Sequence, residues 1–512
     1  MEGKGLLFKI FADIDVFDIE VDATNIDEFV NTVKNIAPTF GGINLEDIKA
    51  PECFEIERRL KEVLDIPLMH DDQHGTAIIS AAGLINAVEL SGKKMSNVKL
   101  VINGAGASAN SCAKMYIAVG VKKENIVMLD SKGVINKKRT DLDQYKTFFA
   151  TDRNDITTLE QAIKNADVFV GLSKGNVLNQ DMVRSMNKKC IVFALANPTP
   201  EISYEDAMAA RKDIIVATGR SDNPNQVNNV LGFPFIFRGA MDVRATTINE
   251  EMKLAATLAI AALAKEPVPD YVNLAYGSKN LSFGVDYIIP KPIDNRLISA
   301  VSSAVAKAAV ESGVAKRVIT NWDAYRAELE NRLGKDNKLM RSLADKAKSD
   351  PKRIVFSEAD NYKILKAAQV VRDEGIAKPI LLGDRARISA IAHENFMDLS
   401  DMQIIDPLME EETRRNDFGD TFWKRRQRRG LTQYDARKLM RDRNYFGAMM
   451  VEHGMADAMI SGLTRKYGQP IKPALEIIDT QPGVSKVAGL YIMVTKKGPY
   501  FFADTTMNSD PT

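Results

Sequence analysis

The feature that most constrains the fold is a glycine-rich turn that joins an apolar strand to a helix. The sequence predicts the strand at 99–104 (KLVING), the helix at 106–119 and a second strand at 125–130 (NIVMLD). In this arrangement Gly104 makes the tight bend, and Gly106 lets the backbone approach a pyrophosphate bound at the helix N-terminus. Because a strand precedes the turn and a helix follows it, the segment predicts a dinucleotide-binding unit rather than a structural glycine turn.

The residues around that turn extend the predicted cofactor site. Ala107 and Ser108 begin the helix, and Ala109 stands where the fingerprint has its third glycine. Asp130 ends the second strand, where an acid accepts the ribose 2′-hydroxyl of NAD. Ser131, Lys132 and the basic run 137–139 could instead meet the 2′-phosphate of NADP, or form an ordinary solvated loop. The residues themselves leave NAD and NADP both open.

Apolar runs alternate with helical stretches through most of the chain. Further strands are predicted at 167–173, 190–197 and 214–219, so the expected fold class is α/β with a Rossmann-type doubly wound parallel sheet. Upstream, residues 6–22 alternate apolar and acidic positions towards their end, which is typical of a half-buried strand. Other predicted elements are helices at 24–36 (capped by Thr24 or Asn25), 52–64, 76–92 and 246–265, and a helix set at 290–330. A polar segment at 331–351 predicts a linker with a helix, and a second α/β pattern follows with a strand at 353–360, a helix at 361–375 and a strand at 379–384.

Bulk composition excludes several classes of protein. The 69 basic and 68 acidic side chains give a net charge of +1, which favours neither nucleic acid nor membrane partners. The run KRRQRRG at 424–430 lies among acids and predicts a solvated helix face rather than a nucleic-acid patch. Three unclustered cysteines fit a reducing cytoplasm, and the N-terminal residues do not resemble a signal peptide.

Two adjacent acidic pairs are candidates for a metal site. Glu46 and Asp47 lie in LEDIKAP, and Asp71 and Asp72 lie in HDDQHGTA. Carboxylates with substrate oxygens and water suit octahedral Mg²⁺ or Mn²⁺. The alternative is that these acids only cap helices. For His70 and His74, we expect packing or supporting roles rather than zinc ligation, because no cysteine lies near them in the sequence.

Three further side chains are candidates for chemistry. Lys4, in MEGKG, would act as a base if burial beside a metal lowered its pKa, and is otherwise a surface residue. Asn197 ends an apolar strand, and Asn228 and Asn229 open a helix-like segment. An amide at the carboxyl end of a strand can hold substrate or nicotinamide, although Asn-Pro is also a common turn opener.

Taken together, these motifs resemble the malic enzymes, of the bacterial type with a phosphotransacetylase-like C-terminal domain. The matching stretches are MEGKG, DIDVFDIEV, LEDIKAPECFEIE, HDDQHGTA, INGAGASA, DSKG, ALANPTPEI and ATGRSDNPNQVNNVLGFPFIFRGA, followed by FSEAD, ILLGD and ADTTMN. The resemblance implies oxidative decarboxylation of malate to pyruvate and CO₂ with reduction of NADP⁺, favoured over NAD⁺. It also implies a homo-oligomer and acetyl-CoA as an effector at the C-terminal domain.

The resemblance also implies a role for each matched residue. Glu46, Asp47 and Asp72 would chelate the metal. Lys4 would take the proton of the malate C2 hydroxyl, with Asp71 close to it. Asn197 and Asn229 would contact substrate and nicotinamide.

The expected domains follow the same resemblance. They are a substrate and metal domain at 1–70, the cofactor domain at 71–228, a helical return at 229–330, a linker at 331–350 and a phosphotransacetylase-like domain at 351–512.

Some features depart from the family pattern. Family members carry a Tyr acid and a malate-binding Arg before the lysine, whereas the first such residues here are Tyr116 and Arg58. We therefore expect both ends, including NSDPT, to be incomplete, and little decarboxylation until the N-terminal segment is supplied. SGLTRKYG at 461–468 lacks the Gly-Ala turn of active transacetylases, which argues against acyl transfer. Alternative functions are a non-catalytic nucleotide-binding remnant, a bifunctional protein, or another dinucleotide enzyme such as an amino-acid dehydrogenase.

Overall fold

The chain divides into two units, Met1–Lys335 and Asp336–Thr512, which have separate hydrophobic cores. The computed structural model describes residues 2–23, 25–277, 281–332, 338–395, 397–409, 412–495, 498–504 and 507. Thr24, one of the two predicted caps, and NSDPT at the predicted incomplete end lie outside the described residues. Across the described residues, no helix combines the length and apolarity needed to cross a bilayer.

The first unit contains a parallel sheet flanked by helices. Its strands are β1 Ile43–Leu45, β2 Leu68–His70, β3 Leu100–Asn103, β4 Ile126–Asp130, β5 Gly133–Val134, β6 Val168–Gly171, β7 Ile191–Ala194 and β8 Ile215–Thr218. Its helices are α1 Glu2–Ala12, α2 Ile26–Ile36, α3 Glu52–Val63, α4 Asp71–Ser91, α5 Ala107–Ala118, α6 Gln144–Phe148, α7 Leu159–Ile163, α8 Gln180–Ser185, α9 Tyr204–Ala210, α10 Phe233–Asp242, α11 Glu250–Leu263, α12 Asp270–Ala275, α13 Arg296–Glu311 and α14 Trp322–Arg332.

The predicted doubly wound sheet is confirmed. Six strands lie in the order β5-β4-β3-β6-β7-β8, and all pairs are parallel except β4 with the short edge strand β5. Leu100 and Ile102 of β3 pack in one core, whereas Val101 packs in another on the opposite face. Burial of both faces explains why these strands are continuous apolar runs in the sequence.

The strand predicted at 6–22 is wrong. Helix α1 covers Glu2–Ala12, and residues 13–23 belong to no helix or strand. Phe8 and Ala12 lie four positions apart and are both buried, with Phe8 against the ring of Phe233. This helical spacing outweighs the alternation that follows it, since alternation alone supplies no neighbouring strand for a ladder. Lys4 therefore lies on a helix rather than before a strand.

Helix α4 begins earlier than predicted, at Asp71 instead of 76. Both acids of HDDQHGTA thus lie in its first turn, where negative side chains interact favourably with the unpaired N–H groups. Asn25 caps α2 as predicted, and its side chain accepts a hydrogen bond from the Glu28 backbone N–H.

The second unit has its own parallel sheet. Its strands are β9 Lys352–Phe356, β10 Ala377–Leu382, β11 Gln403–Ile405, β12 Ala458–Ile460, β13 Leu490–Thr495 and β14 Gly498–Ala503. Its helices are α15 Lys338–Ser349, α16 Tyr362–Asp373, α17 Arg385–Glu394, α18 Glu412–Arg426, α19 Gln433–Leu439, α20 Arg443–Glu452 and α21 Gly468–Ile477. The parallel order is β11-β10-β9-β12, and β13 and β14 form an antiparallel pair. The run at 424–430 ends α18, and its Arg425 and Arg426 pair with Glu452 and Glu476, as a solvated face would.

A buried amide fixes the segment that follows β8. The Asn225 side chain donates to the carbonyls of Val216 (3.0 Å) and Val285 (2.7 Å) and accepts from the Ile288 N–H (3.0 Å). We expect Asn225→Ala to lower the free energy of unfolding by about 2–4 kcal/mol, because two buried backbone groups and one partly buried carbonyl lose their partner. Chemical denaturation measures this, with the exposed Asn154→Ala as control, expected to change stability by less than about 0.5 kcal/mol. Equal effects of the two substitutions would contradict the buried role of Asn225.

Candidate active site

The centre of the site is a buried ion pair between α1 and α4. The Lys4 ammonium lies 2.6 Å from Asp71 Oδ2 and 2.8 Å from Glu46 Oε1. The Asn229 amide donates to the same Asp71 oxygen (3.0 Å), and its carbonyl accepts from the Thr76 hydroxyl (3.1 Å). The structure thus brings together five side chains that the sequence spreads over more than 220 positions.

The charges of this cluster shift one another's pKa values. Burial opposes the charged form of Lys4, but the carboxylates of Asp71 and Glu46 outweigh it and raise the pKa of Lys4. Burial also raises the pKa of Asp71, against the opposing effect of Lys4 and Asn229. The pKa of Glu46 is raised by burial and by the negative charge of Asp71. The carboxylates therefore act against the lowered lysine pKa that a base requires.

The residues predicted to hold a metal lie around this pair. Asp72 Oδ2 accepts from the Asp47 backbone N–H (2.8 Å), Asp47 is exposed, and the Asp72 charge also raises the pKa of Glu46. Within the described ranges, no three His, Cys, Asp or Glu side chains are grouped so that they could hold an ion as placed. The donor chemistry nevertheless fits a hard divalent cation, because the groups are oxygens with surplus negative charge. Asp71 Oδ1 is buried and has no hydrogen-bond partner among the described residues.

The two histidines have different surroundings. His70 is fully buried, and its Nδ1 lies 3.9 Å from Asp72 Oδ2. His74 Nε2 lies 2.9 Å from Glu57, and its Nδ1 lies 3.2 Å from the buried Lys253 ammonium. Burial and the Lys253 charge lower the pKa of His74 to about 4. These contacts are those of a supporting residue, as the sequence predicts.

Sequence reasoning missed Lys253 and Glu57. Lys253 is 1% exposed and pairs with Glu250 at 2.6 Å. The position of Lys253 in the sequence could have indicated its burial, because it lies on the same face of α11 as the buried Ala256 and Ile260. A lysine within an apolar stripe requires a buried partner.

The glycine turn forms a cradle at the carboxyl end of β3. Gly104 has φ +139°, and a Cβ there would lie 2.4 Å from the carbonyl oxygen of Leu172. A Cβ on Gly106 would meet nothing within 4 Å, so the space before α5 is open. Gly106 caps α5 without a side-chain hydrogen bond, which leaves the first amides of the helix for an anion.

Ser108 links this cradle to the acidic helix. Its hydroxyl donates to the backbone carbonyl of Asp72 at 2.5 Å, with Ala107 beside it at the helix start. The hydroxyl thus serves to position α5 on α4 in this structure.

Asp130, at the end of β4, is already paired. Arg139 donates to both of its oxygens (2.7 and 2.9 Å), Lys146 contacts one (3.1 Å), and the Lys132 backbone N–H donates to the other (3.0 Å). Burial would raise the pKa of Asp130, but these donors outweigh it and lower the pKa to about 2. Ser131 and Lys132 are exposed, and the Lys132 ammonium pairs with Asp141 (2.7 Å). Lys146, which the sequence analysis missed, lies on α6.

The asparagines occupy different places. Asn197 is exposed in the loop after β7, at the carboxyl edge of the sheet. The Asn228 side chain accepts from the Val230 N–H (3.0 Å), which is turn chemistry. Asn229 lies in the Lys4 cluster, where it contacts Asp71, and not at the carboxyl end of β7 with Asn197.

A cavity of about 410 Å³ opens beside the cluster. Lys4, Glu46 and Asp47 line its polar end, and Phe8 and Phe237 line its apolar side. Asp15, Asp18 and Glu20 also line the cavity, so its described lining carries five acids and one lysine, and the cavity gives a small molecule access to the Lys4 ammonium and the carboxylates.

Gly75 has no room for a side chain at this site. A Cβ there would lie 2.3 Å from Asp71 Oδ1 and 2.7 Å from Asn229, whereas one on Gly83 of the same helix would make ordinary contacts at 3.5 Å. We expect Gly75→Ala to lower the free energy of unfolding by about 1–3 kcal/mol through overpacking. Gly83→Ala, the matched control, should be neutral or slightly stabilising because alanine favours helix. Thermal denaturation compares them, and a stable Gly75→Ala protein would show that the cluster is not closely packed.

Three parts of the chain match described protein families. Residues 1–61 match the family described as malic enzyme, N-terminal domain, 73–275 match malic enzyme, NAD binding domain, and 338–512 match phosphate acetyl/butaryl transferase.

Two curated relatives and one solved structure illustrate the likeness. An NADP-dependent malic enzyme of Rhizobium meliloti is 48% identical over 516 residues, which is all of this chain and 67% of that protein. An NAD-dependent malic enzyme of the same organism is 45% identical over 517 residues, again all of this chain and 67% of the relative. The crystal structure of malic enzyme from Pyrococcus horikoshii matches with a TM-score of 0.59 and 38% identity, over 68% of this chain and 78% of that one. The chain thus spans about two thirds of the length of the curated relatives, and it belongs to the malic enzymes, with a phosphotransacetylase-like second unit.

Proposed function

We propose that this protein oxidatively decarboxylates malate to pyruvate and CO₂, with reduction of NADP⁺ and a divalent cation, Mg²⁺ or Mn²⁺. The observation that carries the proposal is the Lys4 ammonium held between Asp71 and Glu46 at the polar end of the cavity. It is supported by the glycine cradle, which Ser108 joins to the same acidic helix. Malic enzyme relatives that align with the entire chain support it further.

The proposed chemistry requires a base and a means to stabilise negative charge. Lys4 takes the proton of the malate C2 hydroxyl, and C2 gives up a hydride to the nicotinamide. The C3–C4 bond of the resulting oxaloacetate then breaks, its electrons form an enolate and CO₂ leaves. Protonation of C3 yields pyruvate. When bound by Glu46, Asp47 and Asp72, the cation would offset the charge that keeps Lys4 protonated and polarise the C2 oxygen.

The surrounding residues prepare Lys4 for this role. Asp71 fixes the ammonium at 2.6 Å and is itself held by Asn229. The ring of Phe233 lies 4.3 Å from the ammonium and shields that side from water. Exclusion of water strengthens every charge interaction within the site.

We propose NADP⁺ as the preferred cofactor because of the groups around Asp130. An acid that is saturated by Arg139 and Lys146 is poorly placed to accept a ribose hydroxyl. The same two cations, with Lys132, supply the positive charge that a 2′-phosphate needs. Relatives named NADP-dependent malic enzyme that align with the whole chain support the same choice, and one relative that aligns equally is named NAD-dependent.

Other parts of the proposal concern partners and location. We propose that the chain forms a homo-oligomer in the cytoplasm and that acetyl-CoA binds the second unit as an effector. The match of residues 338–512 to phosphate acetyl/butaryl transferase supports the effector, and the three free, buried cysteines fit a reducing compartment.

Lys4→Met tests the reaction. We expect malate-dependent NADP⁺ reduction with Mn²⁺ to fall at least about 100-fold in kcat, because the proton acceptor is lost. Lys9→Met is the matched control: Lys9 lies on the same helix, is exposed and pairs with Asp13, so its variant should retain the activity. Asp72→Asn should also lose activity.

Two results of this assay would contradict the proposal. One is undiminished turnover in Lys4→Met. The other is the absence of malate-dependent reduction of either cofactor by the unmodified chain.

Arg139→Ala tests the cofactor preference. The substitution removes a cation and leaves Asp130 with only Lys146 and the Lys132 backbone N–H, so the carboxylate would repel a 2′-phosphate more and be freer to accept a ribose hydroxyl. We expect the Kd for NADP⁺ to rise about tenfold or more and the Kd for NAD⁺ to stay equal or fall, measured by calorimetry. Lys137→Ala, in the same loop but paired with Asp152, should change neither. An unchanged Kd ratio in Arg139→Ala would show that the preference is set elsewhere.

A further inference from the structure

We propose that Glu201 is a positioning residue for the dinucleotide, because its buried carboxylate holds together the two loops that follow β6 and β7. The first loop is 172–176 and the second is 195–201, and both lie at the carboxyl edge of the sheet. The inference rests on the proposed cofactor site. It adds a residue that does not contact the dinucleotide but sets the shape of the backbone that does.

The contacts of Glu201 span both loops. Its Oε1 accepts from the Ser173 backbone N–H at 3.2 Å, and its Oε2 accepts from the Ala196 backbone N–H at 3.1 Å. The side chain is fully buried, and no Lys or Arg in the described part of the chain lies within ion-pair distance of it. A buried acid without a cation is costly, and here backbone amides supply the compensating dipoles. Burial raises the pKa of Glu201, and the hydrogen bonds from Ala196 and Ser173 oppose that rise.

Two glycines make room for this contact. A Cβ on Gly171, the last residue of β6, would lie 2.1 Å from the Glu201 carboxyl carbon. A Cβ on Gly175 would lie 2.7 Å from the Thr199 side chain. The loops also pair through their backbones, with the Asn176 N–H donating to the Pro200 carbonyl at 3.0 Å. Such close approach at two points makes the loops one rigid layer.

This layer touches the glycine cradle. The carbonyl oxygen of Leu172 lies against Gly104, where it would be 2.4 Å from a Cβ. The Asn103 amide, one position before Gly104, donates to the Ser173 hydroxyl at 2.8 Å. Ser173 therefore links β3 to Glu201, and the position of Leu172 limits the shape of the glycine turn that forms the cradle.

The second loop carries a predicted ligand contact. Asn197 directly follows Ala196, whose N–H is held by Glu201. A shift of this loop would move the exposed Asn197 amide and the edge of the cradle together. The Ser173 and Ala196 N–H groups both need an acceptor, and a glutamate carboxylate supplies one oxygen to each. Glutamine would present its NH₂ group to one of these donors, so it cannot make both hydrogen bonds.

The test compares Glu201→Gln and Glu201→Asp with Glu205→Gln, an exposed glutamate at the start of α9. Calorimetry gives the Kd for NADP⁺ without malate, and hydrogen exchange gives the protection of the Ser173 and Ala196 amides without cofactor. We expect both Glu201 variants to raise the Kd about tenfold and to speed exchange of these two amides by a similar factor. Mn²⁺ affinity should stay within about twofold in all three, because no cluster carboxylate is altered.

Each other outcome decides against the positioning role. A Glu201→Asp protein that binds NADP⁺ like the parent would mean that charge, and not the reach to both loops, matters. Faster exchange with an unchanged Kd would make the contact structural only. If Glu201→Gln does not fold, Asn103→Ala replaces it. That variant removes only the link from β3 to Ser173, and an unchanged Kd there would equally overturn the role.

Failure of the proposed function is distinguishable from failure of this inference. If the parent chain binds neither NADP⁺ nor NAD⁺, the function fails, and the exchange data still show whether Glu201 holds the loops.

Discussion

The buried pair of Lys4 and Asp71 is the interaction on which the candidate site depends. Asp71 has no exposed surface, so its charge must be compensated by neighbours rather than by water. Lys4 comes from α1, Asp71 from α4 and Asn229 from the turn before α10, and these segments meet at one carboxylate. Removing one partner from a buried pair typically costs about 3–5 kcal/mol, because the other charge is left unpaired. The same contact therefore sets both the packing of α1 and the charge state of the lysine.

Helix α4 connects this pair to the cofactor cradle. Its first turn holds Asp71 and Asp72, and the Asp72 carbonyl accepts the hydrogen bond from Ser108 at the start of α5. Two helix N-termini thus lie side by side, one beside carboxylates and the other open to an anion. One turn further along α4, His74 contacts Glu57 of α3 and Lys253 of α11 and so holds α4 to both helices. A substitution that moves α4 would therefore disturb the acidic cluster and the cradle together.

The sequence predicted those parts of the fold whose cause is local. Five strands of the six-stranded sheet were predictable because each is buried on both faces, whereas the two-residue edge strand β5 was not predicted. The glycine turn was predictable because φ +139° at Gly104 admits little else. The strand at 6–22 was wrong because an alternating pattern does not supply the neighbour that a strand needs. The pairing of Asp130 with Lys146 was not predicted, because it depends on the path of the sixteen residues that bring α6 back to the end of β4. Glu201, next to prolines in NPTPE, has the local pattern of a solvated turn, and only its position against Gly171 explains its burial.

The overall net charge of +1 conceals two local imbalances of opposite sign. Around Lys4, the carboxylates of Glu46, Asp71 and Asp72 exceed the single ammonium, and burial together with the charges of Asp71 and Asp72 raises the pKa of Glu46. Around Asp130 the balance is reversed, since three cations meet two acids, and the pKa of Asp130 is lowered to about 2. The strand β3 and the start of α5 lie between these groups in the chain and carry the open cradle. A dinucleotide with a 2′-phosphate suits the positive side, and a divalent cation suits the negative side. Each ligand would thus bind where the folded chain already carries an excess of the opposite charge, so the charges of the site are in place before its ligands arrive.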